Sequence, residues 1–146
     1  MAVRILYNAD SWDAATITSS SEASTDLADD NIIHDHVGKI WRTTGKASEW
    51  IKFDLGSAKQ ITCFGMFNFN LTSGATVTLQ ANATDSWGAP TYSQALTLVS
   101  DADSVVLKRI VFFLDQTFRW WRITLADSGN TATYLEVGRM IAGAYY

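Results

Sequence analysis

The stretch Trp50-Ile51-Lys52-Phe53-Asp54-Leu55 alternates residue by residue between two faces, and Gly56-Ser57 follows it as a stop signal. Alternation with a period of two residues is typical of a β-strand that buries one face and exposes the other. The segment Arg119–Leu125 repeats the pattern. One of its faces carries the apolar side chains Trp121, Ile123 and Leu125. The opposite face carries Trp120, Arg122 and Thr124. Both segments therefore predict strands of a half-buried sheet.

The rest of the chain contains five more strand-like runs between turn signals. They are Val3–Tyr7, Gln60–Asn70, Ala75–Gln80, Ser104–Leu114 and Tyr134–Ala142. The run Ser104–Leu114 is nearly continuous in apolar residues, which predicts a strand covered on both faces. Helix formers are scarce, with three glutamates and five lysines, and one helical turn is predicted around Leu27–Ile33. These features predict an all-β sandwich or barrel of seven or eight strands, folded as one domain over residues 1–146.

Length, charge and cysteine content exclude several classes of protein. At 146 residues the chain is long enough for one core without disulfide or metal support, and its single cysteine, Cys63, excludes an internal disulfide. The net charge of −4 argues against binding nucleic acid through bulk charge. No apolar run reaches the roughly 18 to 20 residues of a membrane span, and Met1–Tyr7 lacks the features of a secretory signal. We therefore expect no nucleic-acid partner and no membrane insertion.

The chain contains no recognisable catalytic motif. It has no nucleophile elbow, zinc-protease helix or phosphate-binding loop. Cys63 falls within a strand-like run, where a thiol is usually an inert core residue. Asp54 and Glu136 are two carboxylates in an acidic chain and carry no glycosidase signature. The sequence therefore predicts a protein that is not an enzyme.

Six tryptophans are many for a chain of this length. An indole ring can lie against the apolar face of a sugar while Arg, Asn, Asp or His side chains hydrogen-bond the sugar hydroxyls. Trp87 lies among polar and glycine residues before Pro90, and is the ring most expected to be exposed. Trp120 points away from the face of Trp121, so it either covers a second layer or faces a neighbouring subunit.

Several short segments follow one another in a distinctive order. They are Leu27–Asp35, Ile40–Thr43, Glu49–Gly56, Arg119–Ile123 and Tyr134–Arg139. This order resembles the discoidin or coagulation factor type C family, whose members are galactose-binding-like jelly-roll sandwiches and include many carbohydrate-binding modules. The segment Asn31–Ile33 before Trp41–Thr43, with the closing Glu136–Gly143, is most similar to modules of bacteriophage tail and virion proteins. The resemblance implies an all-β, galactose-binding-like jelly-roll β-sandwich of about eight mostly antiparallel strands rather than a barrel.

The resemblance also implies where a ligand would bind. In this family ligands sit on loops at one end of the sandwich, and binding residues commonly lie on loops. Five residues of this chain are candidates for that ligand site: His34, His36, Arg42, Asn70 and Trp87. The family usually fills its core with the residues that match Trp41, Trp50 and Trp121. We expect Trp50 and Trp121 to do the same.

A structural calcium is a second feature that the family implies, held by an acidic loop and a late glutamate. The matching residues here are Asn31, Asp35 and Glu136. His34, however, stands where an acidic residue is expected, and imidazole is a poor ligand for a hard cation. The alternative is a loop held by hydrogen bonds from Asn31 and Asp35 to the backbone. No other cofactor is predicted.

Two further groups of charged residues have alternative interpretations. The run His34-Asp35-His36 could bind a transition metal if both histidines lay on one strand face, but no third ligand is identifiable, and such pairs are usually surface loop residues. An arginine could clamp a sugar hydroxyl, but the favoured interpretation pairs arginines with carboxylates. The residues concerned are Arg42, Arg122, Arg139, Asp54 and Glu136.

These observations predict a non-catalytic virion module of a phage tail, baseplate or fibre, assembled in the bacterial cytoplasm, that attaches to a surface glycan or docks to a neighbouring virion protein. The first alternative is a purely structural assembly or decoration subunit that binds no sugar. Large side chains in Ile110–Leu114 and Phe118–Trp121, and the terminal Tyr145-Tyr146, favour this alternative and a homo-oligomer. The second alternative is a carbohydrate-binding module of a bacterial glycan-active system.

Overall fold

Eight strands and three short helices make up the part of the chain that the computed structural model describes, residues 6–36, 38–98 and 108–145. The strands are β1 (Leu6–Asn8), β2 (Thr16–Ser19), β3 (Trp41–Arg42), β4 (Glu49–Phe69), β5 (Thr76–Asn82), β6 (Tyr92–Leu96), β7 (Arg109–Ala126) and β8 (Glu136–Tyr145). The helices are one turn of α-helix, α1 (Asp10–Asp13), and the 3₁₀ segments Thr25–Leu27 and Asp29–Ile33. None of these helices has the length and apolar character needed to cross a membrane.

β4 and β7 are long strands that run through both layers of a sandwich. Residues 49–54 of β4 pair with β2 and with residues 120–125 of β7. Residues 63–69 of β4 pair with β8, and residues 63–67 also pair with the beginning of β7. Between these halves the register of β4 against β7 shifts, close to Gly56, whose φ of +74° is a conformation that glycine adopts without strain. The two strands therefore change layer without a break in either.

The remaining strands complete the two layers. The first layer extends from β2 across β4, β7 and β5 to β6, and the second contains β8 with β1 and β3 beside it, together with the other halves of β4 and β7. All of the pairings between described strands are antiparallel. The predicted antiparallel β-sandwich is therefore confirmed.

The core lies between the layers and is built around Trp12 of α1. The Trp12 ring stacks on Phe53 with centroids 4.1 Å apart and meets Trp121 edge-on at 6.4 Å. All three rings are fully buried, as is Trp41, whose Nε1 donates to the Ser21 carbonyl oxygen at 2.9 Å. The apolar positions of the alternating segments thus face inward, as their sequence predicts.

Two predicted strand boundaries are wrong. The segments Trp50–Leu55 and Gln60–Asn70 belong to one strand, because Gly56 takes up the bend that was expected to end the first segment. Arg119–Leu125 and the described part of Ser104–Leu114 likewise belong to one strand. Residues 104–107 of that predicted strand lie outside the described residues, as do residues 3–5 of Val3–Tyr7.

The prediction that Ser104–Leu114 is covered on both faces is also wrong for its described part. Ile110 is fully buried, whereas Val111 and Phe113 are 48% and 43% exposed. The alternation was hidden because both faces carry apolar residues.

Four elements were missed, namely α1, β2, β3 and β6, because each is too short for its periodicity to stand out. The predicted helical turn at Leu27–Ile33 overlaps the two 3₁₀ segments.

Candidate functional site

The outer surface of the first layer carries three tryptophans among charged and amide side chains. We call this surface the tryptophan face and define it by Trp50, Lys52, Trp87, Trp120 and Arg122, with Asp54, Gln80, Asp85 and Arg119 in contact with them. The three indoles are half-buried, and each has a cationic side chain over its ring.

The register of three neighbouring strands produces this grouping. Lys52 of β4 lies opposite Arg122 of β7, and Arg122 lies opposite Gln80 of β5. One pair further along, Asp54 lies opposite Trp120. Because side chains alternate across a strand, the outward-pointing members of these pairs share one surface.

The loop after β5 adds Trp87 to the tryptophan face and fixes it with a carboxylate. Asp85 accepts hydrogen bonds from Lys52 Nζ at 2.9 and 3.1 Å and from Trp87 Nε1 at 2.5 Å. The hydrogen bond from Lys52 lowers the pKa of the Asp85 carboxyl below its usual value, and the Trp87 N–H and the charge of Arg122 act in the same direction. Asp85 is therefore ionised at neutral pH and ties the loop to β4.

Arg122 occupies the centre of the tryptophan face. Its Nε donates to Gln80 Oε1 at 2.9 Å, and its guanidinium carbon lies 4.6 Å from the centroid of the Trp87 ring. Partial burial lowers the pKa of the Arg122 guanidinium, which nevertheless stays protonated because its ordinary pKa is so high. Within the described residues its two terminal nitrogens donate no hydrogen bond. Arg122 thus presents oriented donors at the surface.

Trp120 lies beside an ion pair at the same face. Arg119 donates to both carboxylate oxygens of Asp54, at 2.7 and 2.8 Å, and its guanidinium lies 5.4 Å from the Trp120 ring. Hydrogen bonding to Arg119 holds the pKa of Asp54 below its ordinary value. Lys52 lies 5.2 Å from the Trp50 ring and 5.9 Å from the Trp120 ring. The rings are therefore held at fixed positions by charged neighbours.

Two of the five predicted ligand-site residues, Arg42 and Asn70, lie together elsewhere, at the start of β8. Arg42 forms an ion pair with Glu136, and its guanidinium lies 4.3 Å from the Tyr134 ring. Asn70 donates to the Tyr134 carbonyl at 3.1 Å and accepts from the Glu136 backbone N–H at 2.8 Å. Each of their side chains is thus engaged in holding β8 and the segment before it.

No hydrogen bond or ion pair between described residues joins the two histidines or Trp87 to Arg42 or Asn70. His34 and His36 are exposed and follow the 3₁₀ segment rather than lying on a strand, so they lack the shared strand face that metal binding would need. His36 Nδ1 accepts a hydrogen bond from the Gly38 N–H at 3.1 Å. Trp87 belongs to the tryptophan face. Among the described residues, no network of hydrogen bonds or ion pairs joins all five predicted ligand-site residues, and their grouping into one site stays a prediction.

The predicted calcium ligands each have another partner. Asn31 donates to the carbonyls of Asp26 and Ile40, at 2.9 and 3.1 Å, and Glu136 is paired with Arg42. Asp35 lies 3.6 Å from Arg139. Two of the three predicted ligands are carboxylates that already face arginines, which fits a calcium shell poorly. No group of three or more His, Cys, Asp or Glu side chains suited to a metal occurs in residues 6–36, 38–98 and 108–145. Asn31 instead pins the loop, as the alternative interpretation expected.

Trp50 is the clearest correction to the predicted core. It was expected to fill the interior, but it is half-buried on the outside, while Ile51 and Phe53 are fully buried. The strict alternation of the segment already indicates this, because alternate residues of a strand face the same side and Trp50 therefore shares a face with Lys52 and Asp54. Trp121 is fully buried, as expected. Trp120 lies on the tryptophan face and covers no second layer of described residues.

The predicted arginine–carboxylate pairs are confirmed in kind, with partners reassigned. Glu136 pairs with Arg42, one of the three arginines considered, whereas Asp54 pairs with Arg119, which was not among them. Arg139, which is 7% exposed at its side chain, makes a two-point contact with Asp13 at 2.8 and 2.9 Å. Arg122 is consequently left without a carboxylate bonded to it among the described residues.

The outer surface of the second layer has a different character. A cavity of about 200 Å³ opens there among apolar side chains, which we call the apolar face and define by Phe67, Val111, Phe113, Ile141 and Tyr145. Phe113 and Tyr145 meet edge-on at 5.4 Å. Cys63, buried as predicted, is among the residues that line the same cavity.

Solved structures of similar shape are carbohydrate-binding modules and a lectin domain. One is chitosan-binding module 1 of a chitosanase/glucanase from Paenibacillus sp. IK-5, with a TM-score of 0.64, 18% identity, and coverage of 89% of this chain and 95% of that chain. A second is a CBM32 module from Clostridium perfringens in complex with GalNAc-β-1,3-galactose, with a TM-score of 0.66, 13% identity, and coverage of 93% and 99%. A third is the lectin domain of lectinolysin complexed with Lewis B antigen, with a TM-score of 0.64, 13% identity, and coverage of 88% and 92%.

No protein-family model matches the chain, and no curated protein matches it. At identities this low the structural similarity establishes the fold alone. The chain has the galactose-binding-like β-sandwich that the sequence resemblance implied. The named structures include no virion protein, so the phage context stays a prediction without support from them.

Proposed function

We propose that this protein is a non-catalytic carbohydrate-binding module that binds glycans on its tryptophan face. The observation that carries the proposal is the set of three half-buried indoles held by ion pairs and hydrogen bonds on one exposed sheet surface. An indole covers the apolar face of a pyranose, while guanidinium, amide and carboxylate groups beside it satisfy the sugar hydroxyls. Fixed side chains lose little conformational entropy when a ligand binds.

Two further observations support this proposal. The similar solved structures are named for binding chitosan or are complexed with galactose-containing or Lewis B saccharides, which makes sugar binding the function best matched to the fold. The carboxylates considered as a glycosidase pair are each bonded to an arginine, Asp54 to Arg119 and Glu136 to Arg42. The carbohydrate-binding module of a bacterial glycan-active system is therefore favoured over the virion attachment module.

A glycan-array screen of the protein in multivalent display, followed by titration of the bound glycans, tests the proposal. We expect specific binding that falls about tenfold or more in Trp120→Ala and Trp87→Ala, because aromatic residues at the centre of a binding site contribute most of the affinity. Phe113→Ala is the matched control, since it removes an exposed ring from the opposite face of the molecule. Running the array with calcium and with a chelator also tests the predicted metal.

Two results would contradict the proposed site. Unchanged binding in folded Trp120→Ala and Trp87→Ala proteins would exclude the tryptophan face. Loss of binding in Arg42→Ala instead would return the site to the loop end of the sandwich that the family resemblance implied. A blank array with folded protein would exclude carbohydrate binding of the sampled glycans altogether.

The second candidate function is assembly through the apolar face. The observation that favours it is the exposure of Val111 and Phe113, 48% and 43%, beside an open apolar cavity, because exposed apolar clusters commonly mark contact surfaces. We propose a second copy of this chain as the occupant, in line with the homo-oligomer expected from the sequence. Sedimentation velocity over a hundredfold concentration range tests this, and a monomer throughout would exclude it.

A further inference from the structure

Arg122 distinguishes the tryptophan face from an ordinary neutral sugar platform. The other two cations of the face each bind a carboxylate, Arg119 with Asp54 and Lys52 with Asp85. Arg122 is bonded instead to the neutral amide of Gln80 and stacked on Trp87. The face thus carries three cations and two carboxylates in a chain whose net charge is −4. Its positive charge is concentrated at the one guanidinium whose terminal nitrogens bond no described residue.

The geometry of Arg122 suits a planar anion. Its Nε donates to Gln80 and its guanidinium lies over the Trp87 ring, while its two terminal nitrogens donate to no described residue and so remain available to a ligand. A guanidinium edge forms two parallel hydrogen bonds with a carboxylate, and such charge-assisted bonds are about twice as strong as neutral ones. Partial burial among the indoles reduces screening by water and strengthens the attraction.

We propose that the glycan bound by this protein is acidic, with a uronic acid residue whose carboxylate pairs with Arg122 while its ring lies on the neighbouring indoles. This inference rests on the proposed carbohydrate-binding function and names its ligand class. Trp87 and Trp120 flank the β7 position of Arg122, so one saccharide chain can contact a ring and the guanidinium together. Asp54 and Asp85 are each bonded to a cation of the face, Arg119 and Lys52, so the three cations and two carboxylates leave a net positive charge for the ligand.

Nucleic acid is the other polyanion that aromatic and basic side chains can bind. Two carboxylates lie within this face, however, and the chain as a whole is acidic, both of which disfavour a continuous phosphate backbone. A uronic acid places its single carboxylate at one point of the sugar ring. The observations therefore favour an acidic polysaccharide.

Polygalacturonate and its carboxyl-reduced counterpart test the inference, since they differ only in the charged group. At 0.15 M salt we expect the wild-type protein to bind polygalacturonate about tenfold or more tightly than the reduced polymer. Arg122→Gln should abolish this difference, and Arg122→Lys should restore less than half of it, because a lysine lacks the planar fork. Arg109→Gln is the control, since it removes an exposed arginine from the other end of the same strand.

The outcomes separate the two proposals. Equal binding of both polymers, lost in Trp120→Ala, would overturn the acidic ligand and leave carbohydrate binding intact. No binding of either polymer or of any arrayed glycan would overturn both. Binding of an oligothymidylate with the same dependence on Arg122 and Trp120 would overturn the uronic acid in favour of nucleic acid.

Discussion

The tryptophan face and the apolar face are built from opposite halves of the same two strands, β4 and β7, yet their surfaces differ in one essential respect. On the tryptophan face every ring has a charged neighbour within 6 Å. Two of these cations, Lys52 and Arg119, are bonded to carboxylates, and Arg122 is bonded to the Gln80 amide. On the apolar face Val111 and Phe113 stand among Phe67, Ile141 and Tyr145.

The difference shows that exposed aromatic side chains can form two kinds of binding surface. Rings surrounded by fixed polar groups remain hydrated at their edges and match a ligand that is apolar on one side and rich in hydroxyls at its rim. A cluster of aliphatic and aromatic groups alone gains free energy only when another apolar surface covers it. We therefore expect a polar ligand on the first face and a protein surface on the second.

The largest expected effect separates two adjacent residues. Trp121 is fully buried against Trp12 and Phe118, so Trp121→Ala should lower the free energy of unfolding by about 3–5 kcal/mol. Trp120→Ala changes a half-buried outer residue and should cost about 1 kcal/mol or less. Urea unfolding followed by circular dichroism measures both values. A comparable loss in both variants would mean that the tryptophan face is part of the structural core rather than a binding surface.

The second prediction sets the tryptophan face against the loop end of the sandwich. Arg42→Ala removes an ion pair with Glu136 and the contact with Tyr134, which should cost about 1–2 kcal/mol of stability. Glycan affinity should stay within twofold of the wild type, because Arg42 lies away from the three indoles. Calorimetric titration of a glycan identified on the array measures it. A tenfold loss of affinity in a folded variant would make the Arg42 cluster the binding site.

Much of the fold could be predicted from the sequence, because alternation reports directly which side chains face inward. Phe53, Trp121 and Ile123 are buried where the period places them. The bend at Gly56 could not be predicted, since a glycine ends some strands and lets others turn while their hydrogen-bonded ladder continues. The alternation of Ile110, Val111 and Phe113 was likewise hidden, because an apolar outer face looks like a buried one.

The candidate site was predicted less well, for a different physical reason. Trp87 and Trp120 were each recognised as candidate outward rings. Their proximity, however, depends on the register between β5 and β7, which a local sequence pattern does not predict. The family resemblance implied a core position for Trp50, whereas the alternation of its strand places it on the same outward face as Lys52. That an arginine would pair with Glu136 was predicted from the fit of a planar guanidinium to a carboxylate, without fixing which arginine, and the structure shows Arg42 as the partner.

The third prediction concerns pH and affects only the tryptophan face. The pKa values of Asp54 and Asp85 are lowered in the folded state by Arg119 and Lys52. Their contribution to stability is therefore present above the ordinary carboxyl pKa of 3.8 and is lost as the pH falls toward the lowered values. Because both pairs are largely solvated, screening by water keeps this contribution small.

Acid titration of tryptophan fluorescence from about pH 6 to about pH 2, at constant salt, follows this change. Asp85→Asn should remove the part of the signal that comes from Trp87, since the carboxylate that accepts from Trp87 Nε1 no longer titrates. Asp127→Asn, a change to a buried carboxylate bonded to Thr72 and Asn130, serves as a control outside the face. An identical titration in the wild type and Asp85→Asn would show that the Asp85 pair does not position the ring.

The smallest expected effect on stability belongs to the apolar face and tests whether it is a contact surface. Val111→Lys should change the free energy of unfolding by less than about 0.5 kcal/mol, because the residue is 48% exposed and the lysine stem can lie along its apolar neighbours. A second copy packed on this face would nevertheless be rejected, since the interface would have to bury an unpaired ammonium group. We therefore expect sedimentation velocity to show a dimer for the wild type and a monomer for Val111→Lys. Thr78→Lys places the same charge on the opposite layer and should leave the dimer intact. Dissociation of the dimer in both variants would indicate a general effect of charge. That result would remove the distinction between the two faces.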